Sequence, residues 1–141
     1  MVLPTAIGSH GVQVHGDLVE MVFTGPLVLA DVAAMRDLLQ QVRGAHGRCY
    51  MLADAAGLTG INLDARKAMA DWGRASPEDQ ISGVGLHGMN FAIRALSVLT
   101  LSAIKLMSGR AVVVHFARDA AEARAWIAAR SWRGSPPPPS S

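Results

Sequence analysis

The spacing of hydrophobic and polar residues divides the first part of the chain into a hairpin, a helix and a buried strand. Apolar and polar residues alternate on both sides of the turn His15-Gly16-Asp17, which predicts two antiparallel strands over residues 12–23. Between Val28 and Val42 the apolar residues recur at intervals of three and four, as on one face of a helix that we expect to end near Gly44. The apolar run at 48–53 then predicts a buried strand.

A loop, a second helix and a third αβ step follow that strand. The glycines in the stretch Asp54–Gly60 predict a loop, and Asn62 predicts the N-cap of a helix through roughly Arg74. A strand thinned by glycines is expected at 81–86. Residues 91–107 predict a helix that is apolar over most of its circumference, although an outer helix needs only one apolar stripe.

The chain closes with one more strand and one more helix. The strand is expected at 111–116, and Asp119 followed three residues later by Glu122 predicts the capped start of the helix. That helix turns Trp126 and Ile127 toward the core.

The resulting order, β-β-α-β-α-β-α-β-α, predicts an α/β fold in which an N-terminal β-hairpin precedes alternating αβ units. Parallel strands require crossover connections, so we expect a mixed, mostly parallel sheet with four helices. Residues 1–133 form the predicted single domain. The four consecutive prolines within 134–141 predict a disordered, polyproline-type tail.

Composition narrows the class of protein. The chain has 141 residues, of which 50% are hydrophobic and 17% charged, a balance typical of a globular domain with a substantial core. Cys49 is the single cysteine, which excludes an internal disulfide. We expect a cytoplasmic protein because the N-terminus does not resemble a signal peptide. We expect no transmembrane segment, because the longest uncharged stretch of the 91–107 helix has ten residues, about half of a bilayer span.

Charge is unevenly distributed along the chain. From residue 91 to residue 133, seven lysines and arginines face two acidic residues. An ordinary solvated face is the favoured interpretation of this excess of positive charge, and no nucleic-acid partner is expected.

The clearest candidate for chemistry is the glycine pattern Gly83-Val-Gly85-Leu-His87-Gly88. It matches the dinucleotide-binding motif, but no Asp or Glu occurs between Asp79 and Asp119 to hold a ribose. We therefore favour the interpretation that these glycines allow helices to pack closely against the strand. His87 and Arg94, beside a predicted helix start, remain a candidate anion site. We expect no catalytic residues, no cofactor and no metal, because neither closely spaced ligand pairs nor a nucleophile elbow is present.

One stretch of the chain resembles the signature of the sulfate-transporter and anti-anti-sigma (STAS) domain, which is a strand followed by Asp-x-Ser-Gly-Leu. This stretch is Tyr50-Met-Leu-Ala-Asp54-Ala-Ala-Gly57-Leu58. The STAS/SEC14, or SpoIIAA-like, bacterial branch is the most similar. Its loop and second helix resemble Gly57-Leu-Thr-Gly60 and Asp64-Ala65-Arg66, and its last strand and helix resemble Val113-Val-His-Phe116 and Ala123-Arg-Ala-Trp126-Ile127. The resemblance runs from about residue 12 to residue 127.

The resemblance implies a non-catalytic protein-interaction domain in bacterial regulation or scaffolding. In STAS regulators the loop serine is phosphorylated by a partner kinase, and the added charge controls docking. Here Ala56 stands in its place, and the nearby hydroxyl is that of Thr59. The expected partner-binding residues are those of the loop and the following helix, namely Asp54, Ala56, Gly57, Thr59, Arg66 and Lys67.

The broad apolar helix at 91–107 supports two further expectations. Its apolar face, represented by Phe91, Leu96, Leu99 and Leu101, is wide enough to cover a protein partner or a second copy of the chain. Alternatively, as the SEC14 side of the resemblance implies, the helix covers a lipid-like or other apolar ligand and the protein is a small carrier.

Overall fold

Within the residues that the structure describes, six strands form one sheet whose spatial order is the order of the chain. The computed structural model describes residues 3–73, 82–90, 93–95, 98–99 and 113–133. The strands are β1 (Ala6–Ile7), β2 (His10–His15), β3 (Leu18–Leu27), β4 (Tyr50–Ile61), β5 (Gly83–His87) and β6 (Val114–Phe116). Strands β1 to β3 pair antiparallel, whereas β3 to β6 pair parallel. The predicted mixed sheet is confirmed, with β1 as an added short edge strand.

Helices lie on both faces of this sheet. They are α1 (Leu29–His46), α2 (Leu63–Gly73), α3, described at residues 93–95 and 98–99, and α4 (Ala120–Arg133). A large core forms between one face and the helices α1 and α2, and Ile93 of α3 belongs to it. On the opposite face, Tyr50 and Leu52 pack against α4 through Ala123 and Ile127. Because β4 contributes alternate residues to the two cores, it is the central strand of the fold.

A buried polar network joins the N-terminal strands to the first helix. The backbone N–H of Thr24 donates to Nδ1 of His10 at 2.9 Å, so the ring proton lies on Nε2, which is 3.1 Å from Oδ2 of Asp31. The same carboxylate oxygen accepts the backbone N–H of Val28 at the start of α1, also at 3.1 Å. Gly8, at φ +57°, leaves room for this carboxylate, which a Cβ at that position would overlap.

The first helix continues past its predicted end. The residues predicted to face inward from α1 are buried, but Gly44 lies within the helix, which ends at His46. Gly47, at φ 78°, adopts the left-handed conformation and donates its N–H to the carbonyl of Arg43 at 2.7 Å. Only a residue that tolerates positive φ closes a helix in this way, so the C-terminal glycine is Gly47.

The predicted loop at Asp54–Gly60 is wrong, because this stretch is the second half of β4. Strand β3 also continues through Pro26, and the two strands stay paired with register shifts after Val22 and Gly25. Three apolar residues of this half, Ala55, Leu58 and Ile61, remain buried in the core. Burial of these residues and the pairing with β3 outweigh the local turn preference of the glycines.

The glycines of β5 are explained by the packing of α4. A Cβ on Gly83 would lie 3.1 Å from Nε of Arg130, and a Cβ on Gly85 would lie 3.2 Å from Cδ1 of Ile127. The helix begins as predicted, since Oδ1 of Asp119 accepts the N–H of Glu122 at 2.9 Å. Close helix packing, which was the interpretation favoured over a nucleotide motif, accounts for both strand glycines.

Some predictions fall outside the described residues. Strand β5 begins at Gly83 and β6 at Val114, and positions 81 and 111–112 of the predicted strands are not described. The same holds for the tail at 134–141 and for most of the predicted 91–107 helix. Among the described helices, none combines the length and the hydropathy needed to cross a bilayer.

Candidate functional site

The second half of β4 forms an exposed ridge at the carboxyl end of the parallel strands. Ala56, Gly57 and Thr59 are exposed, whereas the intervening Leu58 is buried. Oδ1 of Asp54 accepts the backbone N–H of Ala56 at 3.0 Å, which fixes the strand where the ridge begins. A ridge held by strand pairing presents its side chains in one arrangement, as a recognition surface requires.

Gly57 is required by a close approach between β4 and β3. A Cβ at this position would lie 2.5 Å from the carbonyl oxygen of Phe23 and 3.5 Å from Cα of Thr24. The glycine of the Asp-Ala-Ala-Gly-Leu stretch therefore has a structural reason that is independent of any partner.

Helix α2 carries the two basic residues of the predicted partner-binding site. Helix α2 begins at Leu63, directly after β4, and Asn62 occupies the predicted N-cap position. Lys67 is exposed, and Arg66 is half-buried. Among the described residues, Nε of Arg66 is buried and has no hydrogen-bond partner. Both basic residues thus lie in the first turns of a helix that starts where β4 ends.

The two residues of the candidate anion site have different surroundings. His87, the last residue of β5, lines a cleft together with Asp54. Arg94 lies in the first turn of α3, where Oδ1 of Asn90 accepts the N–H of Ile93 at 2.8 Å, and its guanidinium lies 5.3 Å from the ring centroid of Phe116. Arg94 thus contacts an aromatic ring on β6, whereas His87 faces the cleft. No contact between His87 and Arg94 is found among the described residues, and the anion site stays a prediction.

The apolar helix α3 is exposed where it is described. Val98 and Leu99 expose 44% and 68% of their surface. Phe91, Leu96 and Leu101, the other predicted members of this apolar face, lie outside the described residues. Since Leu99 is open to solvent, the described part of this face is available for contact with another molecule.

Solved structures share this arrangement of sheet and helices. An uncharacterized protein of the DUF3478 family from Shewanella loihica PV-4, described as having a SpoIIAA-like fold, is 19% identical, with a TM-score of 0.53 over 84% of this chain and 91% of that one. The anti-sigma factor antagonist SpoIIAA, in its unphosphorylated form, is 11% identical, with a TM-score of 0.52 over 90% of this chain and all of that one (100%). The chain has a SpoIIAA-like, STAS-type fold.

The similarity is one of structure. SLC26A9 matches with 12% identity and a TM-score of 0.52, and 84% of this chain covers 21% of that much longer one. No protein-family model matches the chain, and no curated protein does so either. The SpoIIAA-like fold predicted from residues 12–127 is confirmed.

This SpoIIAA-like domain also contains a cleft that its sequence did not indicate. Helix α4 packs against β4, β5 and β6 and leaves the same face of β2 and β3 open. The open cleft between them has a volume of about 520 Å³ and includes Gln13, Glu20, Val22 and Arg124 among its lining residues. Polar residues at alternate strand positions are ordinary for a solvated sheet face, so period-2 patterning alone does not identify them as a site.

An ion network borders the cleft. Arg124 of α4 forms an ion pair with Oε1 of Glu20 on β3, and Oε2 of Glu20 lies 3.1 Å from Nε2 of His15. Glu20 has only 15% of its side chain exposed, whereas His15 and Arg124 are each 58% exposed. This network ties α4 to the hairpin and uses the charge of Arg124 for that purpose.

Proposed function

We propose that this protein is a non-catalytic STAS-type regulatory or scaffolding domain that binds a protein partner through the ridge of β4 and the adjoining turns of α2. The supporting observation is that Ala56 and Thr59 are exposed on the last part of β4, and that α2, which carries Arg66 and Lys67, begins directly after this strand. One solved structure with this fold is, by its description, an antagonist of an anti-sigma factor.

The chemistry of the ridge favours a partner with an acidic surface. Lys67 supplies an exposed positive charge, and the guanidinium of half-buried Arg66 adds a second positive charge next to it in α2. Ala56 and Gly57 add a flat apolar part that a partner can cover without desolvating charge. Because position 56 carries no hydroxyl, this docking does not depend on a phosphate there.

Site-specific photo-crosslinking in the native cell tests this proposal. A photoreactive residue at Thr59 is expected to capture a defined partner, whereas the same residue at Ala128, exposed on the opposite side in α4, is expected not to capture it. With the purified partner, Ala56→Asp is expected to weaken binding by about fivefold or more, since a buried unpaired carboxylate costs roughly 1–3 kcal/mol. Equal capture at both positions, or unchanged affinity of Ala56→Asp, would place the interface elsewhere.

Self-association through α3 is a second proposal, supported by the exposure of Val98 and Leu99. Light scattering tests it directly. A dimer that dissociates on Leu99→Glu, with an unchanged circular dichroism spectrum, supports the proposal, and a wild-type protein that is monomeric at high micromolar concentration contradicts it. Native mass spectrometry separates this proposal from the apolar carrier, which would show a reproducible bound mass.

A further inference from the structure

One transverse row of the sheet crosses four strands at a single level and forms part of the cleft lining. Gly11 of β2 is the register partner of Val22 in β3, Val22 is the partner of Asp54 in β4, and Asp54 is the partner of His87 in β5. Register partners project to the same face, and all of them line the cleft. With neighbouring strands about 4.8 Å apart, the row extends for about 14 Å.

The part of the cleft that this row lines is apolar at the Gly11 end and polar at the His87 end. Gly11 has no side chain, and a Cβ there would contact Cβ of Val22 at an ordinary 3.9 Å. Val22 is 51% exposed although it lies in a strand that is paired on both sides. The distance from Gly11 to Asp54 is two strand separations, or about 10 Å. The apolar end therefore has room for a slender hydrocarbon body.

The polar end has hydrogen-bond acceptors for which the described residues supply no donor. Oδ1 of Asp54 accepts the N–H of Ala56, and no hydrogen bond to Oδ2 is found within the described residues. His87 likewise forms neither a hydrogen bond nor an ion pair with any residue that the structure describes. An ionised carboxylate oxygen and a neutral imidazole nitrogen on adjacent strands both accept hydrogen bonds.

The charge of the cleft favours a cation. Two carboxylates, Glu20 and Asp54, face one guanidinium, that of Arg124, so the lining carries a net negative charge when its histidine is neutral. Arg124 is already paired with Glu20, and no ion pair to Asp54 is found in the part of the chain that the structure describes. A divalent metal is disfavoured, because the described residues contain no cluster of three or more ligating side chains.

We propose that this cleft binds a small primary amine with a slender apolar body. Its ammonium group donates to Asp54 and His87, and its body lies along Val22 toward Gly11. An ammonium is matched to these acceptors because it carries three N–H donors and one positive charge. This inference does not depend on the partner-binding role of the β4 ridge.

Three probes with the same body and different charge test the proposal by NMR titration of the full-length ¹⁵N-labelled protein. These are phenethylamine, 2-phenylethanol and phenylacetate. We expect saturable shifts of the amide resonances of the row for phenethylamine, with an affinity about tenfold higher than for the alcohol, because a charge-assisted hydrogen bond is the difference between them. Phenylacetate is expected to bind most weakly. Equal affinities for the three probes, or shifts confined to residues outside the row, would overturn the proposal.

Two variants locate the binding. Asp54→Asn keeps an oxygen that accepts the Ala56 N–H. This variant is expected to lower the affinity for phenethylamine about tenfold, to the affinity of the alcohol. The matched control is Asp64→Asn, at an exposed position of α2, which is expected to bind phenethylamine as the wild type does. Gly11→Val fills the apolar end and is expected to weaken the amine and the alcohol alike. If Asp54→Asn binds phenethylamine as tightly as the wild type, the proposed ammonium position is wrong, even if the β4 ridge still captures its partner.

Discussion

Replacing Asp31 by alanine is expected to destabilise the protein far more than removing an ordinary surface carboxylate. Asp31 accepts N–H groups from His10 and Val28 in a largely buried setting, with relative exposures of 6% for Asp31 and 1% for His10. Each buried donor left without a partner costs roughly 1–3 kcal/mol, so the expected loss is about 3 kcal/mol. Small domains have total stabilities of roughly 5–15 kcal/mol, which makes this a substantial fraction.

Urea unfolding followed by circular dichroism measures this loss. With a slope of roughly 1.5 kcal/mol per molar urea, a loss of about 3 kcal/mol lowers the midpoint by about 2 M. Asp64→Ala is the matched control, because Asp64 also lies in the first turn of a helix but is exposed and accepts the adjacent Ala65 N–H at 2.8 Å. Its expected cost is below about 1 kcal/mol. If the two variants shift the midpoint equally, the His10–Asp31 network does not contribute as inferred.

Three further predictions follow from packing and burial. Gly85→Val is expected to destabilise the fold by about 2 kcal/mol or more, because even its Cβ would lie 3.2 Å from Ile127. Gly44→Ala, whose new Cβ has nothing within 4 Å, is expected to stabilise α1 by about 0.5–1 kcal/mol. Thermal melts that rank the two variants in the reverse order would contradict the close packing at Gly85. Gly57→Ala is expected to lower the melting temperature more than Gly44→Ala raises it, since the new Cβ would lie 2.5 Å from a backbone oxygen, and a melt unchanged from wild type would contradict that close approach. Burial, reinforced by the Asp17 carboxylate, raises the pKa of the Cys49 thiol from 9.0 to about 12. Because the unfolded chain loses this proton first, the free energy of unfolding is expected to fall between about pH 9 and 12. Cys49→Val should flatten that part of the measured pH dependence, and a variant with the wild-type slope would refute the assignment.

Local patterns were sufficient to predict most elements of this fold. The alternation of β2 and β3, the helical spacing of α1 and the Asp119 cap of α4 each have a signal within a few residues. These elements bury one face, and the periodicity of the sequence indicates that face directly.

The features that sequence reasoning missed depend on distant partners. The second half of β4 contains turn-forming residues, and it is a strand because it stays paired with β3 and because Leu58 and Ile61 are buried. The buried partner of His10 is Asp31, 21 positions away along the chain, so no local pattern indicates this pair. Strand β1 consists of two residues, too few for any periodicity. The cleft row likewise joins single residues from four strands, so no contiguous stretch of sequence contains it.

The agreement between strand order and chain order has a consequence for biosynthesis. Each new strand is added next to the one made just before it, so a nascent chain can extend the sheet at one growing edge without opening any pairing already formed. Helix α4 is made after all of the described strands and packs over Gly83 and Gly85. Vectorial assembly during translation is therefore compatible with this topology from the first hairpin to the final helix.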